Sequence, residues 1–79
     1  MQVRIRTQGI SAHGSAPEKG VNAVYEMAEI ITRVDELNKR LQKTEGKGTV
    51  VLSKISSVAA SLNAVPSECE IYLDRRLRL

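Results

Sequence analysis

His13 is the single imidazole of this chain and Cys69 its single thiol. An imidazole can donate a hydrogen bond or carry a proton near neutral pH, so His13 is the first residue to consider for chemistry. It sits in Ser11-Ala12-His13-Gly14-Ser15-Ala16-Pro17, a run of small residues broken by Gly and Pro. Such a run reads as a loop, and loops on a rigid scaffold are where working side chains are usually presented. Asn63, in a second loop from Val58 to Ser67 that contains Pro66, is another polar candidate, although Asn also bonds its own backbone in plain turns. Arg76 offers a planar fork suited to a carboxylate. Its competing role is a surface ion pair with Asp74 or Glu70, which contributes little. Cys69 has no second cysteine to pair with and nothing nearby to activate it, so it reads as a small core residue. No Cys/His cluster shows metal-ligand spacing, and no carboxylate–His constellation surrounds His13. On residue types alone, the favoured reading of His13 is an idle surface histidine.

The elements that must hold these residues follow from periodicity. Gln2 to Gln8 alternates, with Val3, Ile5 and Thr7 on one side and Arg4 and Arg6 on the other, which predicts a half-buried strand. Gly9 to Gly20 is the loop; Pro17 limits it to a turn at most. Asn22 is a good N-cap, and Val24, Met27, Ala28, Ile31, Val34, Leu37 and Leu41 recur at helical spacing, predicting a helix from about Ala23 to Gln42. Ile30 and Tyr25 fall at the margins of that stripe. Lys43 to Lys47 reads as a connecting turn. Thr49 to Ser57 is rich in β-formers but does not alternate cleanly, so one of its faces is expected to meet something besides the chain's own core. Glu68 to Leu77 alternates well, placing Cys69, Ile71 and Leu73 on the core side and Glu70, Tyr72, Asp74 and Arg76 opposite.

The order strand, helix, strand, strand predicts an α+β domain: a split βαβ of ferredoxin-like type, with an antiparallel-rich sheet and the helix on one face. Its usual second helix and fourth strand are missing, so we expect a partial, or naturally curtailed, single domain over residues 1–79. A domain this small is marginal without a staple, a metal or a partner chain. The second strand is expected to be an edge, and edges pair with whatever edge is offered. Val50 and Leu52 are therefore the candidate residues of a homodimer interface formed by that strand and the helix.

Composition excludes several classes. The net charge of +3 is mild, and the aromatic content is two Tyr with no Phe or Trp. That is thin support for a nucleic-acid-binding sheet, which stacks bases on aromatic residues. No apolar run approaches membrane-spanning length. Met1 to Arg6 alternates instead of forming an apolar leader, and one unpaired cysteine fits a reducing compartment, so a cytoplasmic setting is expected.

Three motifs carry a resemblance: Ala12-His13-Gly14-Ser15-Ala16-Pro17 with Gly20-Val21-Asn22-Ala23, then Asn63-Ala64-Val65-Pro66, then Asp74-Arg75-Arg76. In this order and at these separations they resemble the lid, or dimerisation, domain of the zinc-dependent peptidase and deacylase family. That family includes acetylornithine deacetylase, succinyl-diaminopimelate desuccinylase, aminoacylase and bacterial glutamate carboxypeptidase. The wording is most similar to its selenium-metabolism hydrolase branch.

The resemblance implies a parent hydrolase that cleaves an amide bond in a small carboxylate-bearing substrate, using two zinc ions held in a separate catalytic domain. It implies that His13 crosses a homodimer interface to donate to the oxyanion in the partner's active site, while Asn63 and Arg76 hold the substrate. No metal ligand is implied within these residues, and the chain alone is expected to be inactive. Two alternatives stay open: a small α/β binding module of RNA-recognition or ligand-binding type, and a purely structural oligomerisation domain.

Overall fold

Two alternating segments, a third rich in β-formers and one apolar helical stripe leave few ways to bury the apolar groups, and the computed structural model shows which is taken. It describes residues 1–43 and 48–77; residues 44–47 of the predicted connecting turn lie outside the described residues. The elements are β1 (Gln2–Gln8), a 3-10 turn (Pro17–Lys19), α1 (Ala23–Lys43), β2 (Thr49–Val58) and β3 (Glu68–Arg76).

The sheet order is β1-β3-β2, and β3 is antiparallel to both neighbours, so β1 and β2 run parallel with β3 inserted between them. This is the predicted strand-helix-strand-strand arrangement of a ferredoxin-like split βαβ. The register is set by alternation: Val3 faces Leu73, Ile5 faces Ile71 and Thr7 faces Cys69. A slip by one residue would turn that whole apolar set to solvent.

Asn22 caps α1 as expected. Its Oδ1 accepts the Val24 N–H at 2.9 Å and the Tyr25 N–H at 3.3 Å, satisfying two donors of the first turn. The helix buries Ala23 and Met27 completely against Cys69, Ile71 and Leu73. Burying a side chain the size of Met27 or Ile71 stabilises by roughly 1.5–3 kcal/mol. The apolar stripe is rotated slightly from its predicted position: Ile30 packs against the core, whereas Leu37 is 40% exposed. Asn38 shares the buried side of the helix, and its Oδ1 accepts the Val50 N–H at 3.0 Å, tying α1 to the start of β2.

The irregular pattern of β2 has an internal cause. Leu52 faces Leu73 but Lys54 faces Tyr72, so Ser53 is one residue too many, a β-bulge. Ser53 Oγ donates to the Tyr72 carbonyl at 3.1 Å, which anchors the extra residue. Beyond it, Ile55 faces Ile71, on the same side as Leu52. The mixed apolar pattern expected to mark a second contact face thus arises largely from a change of phase. Val50 is buried in the chain's own core and Leu52 packs against that core beneath α1; the apolar side chains this strand turns to the opposite face are Val51, 50% exposed, and Val58, 55% exposed.

Candidate functional site

Two loops build the end of the molecule beyond Gln8, and backbone hydrogen bonds lace them together. Ile10 and Val21 exchange N–H···O bonds of 2.9 and 2.8 Å, pinching the first loop shut at its base. Within it, Ala16 N–H donates to the His13 carbonyl at 2.9 Å, and Gly20 N–H donates to the Pro17 carbonyl at 3.0 Å around the 3-10 turn. The second loop, between β2 and β3, docks along the first. Val65 N–H donates to Ala12 O at 2.7 Å, Gly14 N–H donates to Asn63 O, and Ala23 N–H donates to Pro66 O at 3.1 Å. His13 and Ala64 thereby form an isolated antiparallel bridge. The approach demands a glycine: a Cβ on Gly14 would lie 2.8 Å from the Asn63 carbonyl oxygen.

The result is an open groove of about 610 Å³ lined by His13, Ser15, Tyr25, Leu62 and Asn63 among others. His13 is exposed, and its Nδ1 is engaged: the Ser15 N–H donates to it at 3.1 Å, and Ser15 Oγ lies 2.7 Å from it. Asn63 sits at a turn closed by Ser61, whose hydroxyl oxygen accepts the Asn63 N–H at 3.2 Å and whose carbonyl accepts the Ala64 N–H at 3.2 Å. Sequence reasoning missed Leu62, which is fully exposed at the groove's rim, and gave Tyr25, 74% exposed there, no part in a site. A large apolar residue inside a loop carries no periodicity that would reveal it. For Ser15 the signal in the sequence is its spacing of two from the histidine.

Arg76 is not part of this groove. It lies at the opposite end of β3, eight residue steps from Glu68, about 27 Å at the strand rise of ~3.4 Å. Its Nε donates to Asp74 Oδ2 at 2.8 Å on an exposed surface, and that hydrogen bond, with the carboxylate's charge, raises the guanidinium pKa. The structure therefore brings His13 and Asn63 together and separates both from Arg76, whereas sequence reasoning had grouped Asn63 with Arg76. Next to Arg76, Arg75 serves structure: its Nη1 donates to the Thr49 carbonyl at 3.1 Å. Cys69 is buried, and burial pushes its thiol pKa up, which suits a packing role.

Among the described residues no three His, Cys, Asp or Glu side chains converge on a metal position. The groove offers one imidazole and no carboxylate, a donor set that does not fit a zinc site.

A three-stranded split βαβ carrying a loop histidine at one sheet end defines the class, and comparison with known proteins gives the kinship. Residues 1–78 match the peptidase dimerisation domain, and the chain belongs to that family. It is 46% identical over 79 residues to the uncharacterized protein YgeY of Escherichia coli K12, covering 98% of this chain and 20% of that protein. It is 33% identical over 78 residues to the acetylornithine deacetylase of Proteus mirabilis, covering 91% of this chain and 20% of the enzyme. The chain thus spans about a fifth of the length of the curated relatives it matches. Among solved structures, aminopeptidase PepT from Bacillus cereus superposes with a TM-score of 0.76 at 24% identity, over 99% of this chain and 20% of that one. An amidase of the hydantoinase/carbamoylase family from Burkholderia vietnamiensis superposes with a TM-score of 0.71 at 15% identity, over 91% of this chain and 17% of that one. At these identities the superpositions speak for the fold.

Proposed function

We propose that this chain is the dimerisation and substrate-capping lid of a homodimeric hydrolase that cleaves an amide bond in a small carboxylate-bearing substrate. In this reading the catalytic domain, with any zinc ions, is contributed by a longer protein, and these residues alone hydrolyse nothing. His13 donates a hydrogen bond to the oxyanion that forms as the amide carbonyl is attacked, and Asn63 stands beside it to orient the carbonyl. Arg76 pairs with the substrate carboxylate, exchanging Asp74 for it. A cytoplasmic location fits the lone, buried thiol, and no helix among the described residues is long and apolar enough to cross a membrane.

The observation that carries this reading is the separation of the candidate residues. His13 and Asn63 stand at one end of the sheet and Arg76 at the other, so one chain cannot close both on one small substrate. Within these three strands β2 is an edge, and its Val50 N–H is engaged by Asn38 Oδ1. Antiparallel pairing of two β2 edges about a two-fold axis would lay the Val58 end of one strand beside the Thr49 end of the other. The His13 groove of one protomer would then share a sheet end with Arg76 of its partner, with three inter-strand spacings, about 14 Å, between the two β3 strands. Val50 and Leu52 would support that interface from beneath α1, and Val51 would lie on its open face.

The test is complementation. In the longer enzyme, His13→Ala alone should lower turnover by about 10²-fold, the typical cost of losing one oxyanion donor. Arg76→Ala alone should chiefly raise KM. Each heterodimer of the two variants has one site with both residues intact, so a 1:1 mixture should recover about a quarter of the wild-type activity. No recovery in verified heterodimers would place both residues in the same protomer's site and overturn the arrangement.

A further inference from the structure

Resting on the reading of His13 as an outward hydrogen-bond donor, we propose that Ser15 is the positioning residue that makes it one, by holding the ring proton on Nε2. A neutral imidazole carries one ring proton, and the nitrogen without it can only accept. The Ser15 backbone N–H can only donate, and it points at His13 Nδ1 from 3.1 Å. Nδ1 is therefore the acceptor wherever this contact is made. Ser15 Oγ, 2.7 Å from the same nitrogen, then donates its hydroxyl proton to it as well. Two donors from one residue converge on Nδ1, so the proton of the neutral ring resides on Nε2, the nitrogen left to face a ligand.

The distinction matters for the chemistry. An oxyanion is stabilised by an N–H and repelled by a lone pair, so a ring protonated on Nδ1 would present the wrong group. In many sites the tautomer is fixed by a buried carboxylate or a distant carbonyl. Here it is fixed by the residue two positions along the same loop. The loop in turn is braced by Ala16 N–H donating to the His13 carbonyl at 2.9 Å and by the bridge to Ala64. Ser15 is exposed, so its hydroxyl is not needed to fill the core. Its side chain is directed to the imidazole.

The chain contains one histidine, so nitrogen-15 NMR of its imidazole reads His13 without ambiguity. At a pH where the ring is neutral, the wild type should show a protonated Nε2 and an acceptor Nδ1. Ser15→Ala keeps the backbone donor but removes the hydroxyl, and should move both nitrogen shifts toward a tautomer mixture; Ser15→Thr should retain the wild-type pattern. In the longer enzyme Ser15→Ala should lower kcat about tenfold, as loss of an orienting partner does. KM should stay within about twofold, and Ser15→Thr should restore kcat. A wild-type proton on Nδ1, or ring shifts that ignore Ser15→Ala, would overturn the proposal. The two readings fail separately. If His13→Ala leaves turnover intact, the oxyanion role is lost even with the tautomer as described. If His13→Ala disables the enzyme while Ser15→Ala changes neither spectrum nor kcat, only the role of Ser15 is lost.

Discussion

The two ends of β3 are built by different means. At the Glu68 end, two loops are fastened by main-chain hydrogen bonds, and the positions of His13 and Asn63 follow from the backbone. At the Arg76 end, the candidate side chain stands on an exposed strand terminus, steered by one carboxylate two residues away. The first end is preorganised, which the proposed oxyanion donor would need in order to meet developing charge without rearranging. The second is adjustable, which the proposed exchange of Asp74 for a substrate carboxylate would need.

The comparison can be broken most forcefully from the middle. Ile71 is fully buried and lies between the two ends, so Ile71→Ala should cost about 2–5 kcal/mol. Hydrogen exchange should show protection falling together at Val65 and at Arg75 if the domain unfolds as one unit. Protection lost at one end alone would mean that the ends are separate cooperative units.

A narrower cut is Gly14→Ala. The added Cβ must push against the Asn63 carbonyl, and overpacking of this kind costs about 1–3 kcal/mol. Exchange should quicken more at Val65, whose N–H is given to Ala12, than at Arg75, whose N–H is given to Met1. Equal effects at both ends would contradict the separation drawn above.

The smallest expected effect belongs to the outer sheet face between the ends. A hydrogen bond with the Tyr72 side chain, then contacts with Arg6 and Arg4, hold the Glu70 carboxyl below its ordinary value of 4.5. A depressed pKa means stability that is fully present above that ordinary value and lost as the pH falls through the folded one. Urea unfolding should therefore show a slightly lower midpoint at pH about 3 than at pH about 6. Tyr72→Phe should remove the larger share of Glu70's part in that difference and Arg6→Ala a smaller one, with neither altering the His13 groove.

Legibility in the sequence divided along a similar line. β1, the helix start at Asn22 and the core face of β3 could be read directly, because alternation, capping and helical spacing are local. The family motifs also pointed to His13, Asn63 and Arg76. The phase of β2 could not be read, since a bulge is defined only against a partner strand: Ser53 is an extra residue relative to Leu73 and Tyr72, and to nothing within its own segment. The role of Asn38 was hidden for the same reason, because its acceptor oxygen serves an N–H across the α1–β2 connection.

By itself, then, the sequence determined one helix, two alternating strands and a third of unread phase, a glycine-shaped loop bearing the single histidine, and the motifs of a peptidase dimerisation domain. These follow from short-range periodicity and steric preference, which act within a few residues. Only the tertiary structure decided that Asn63 stands with His13 while Arg76 lies a strand's length away. That grouping depends on the backbone bridge between His13 and Ala64, in loops far apart in the chain, which forms because β3 inserts between β1 and β2 and carries the second loop back across the first.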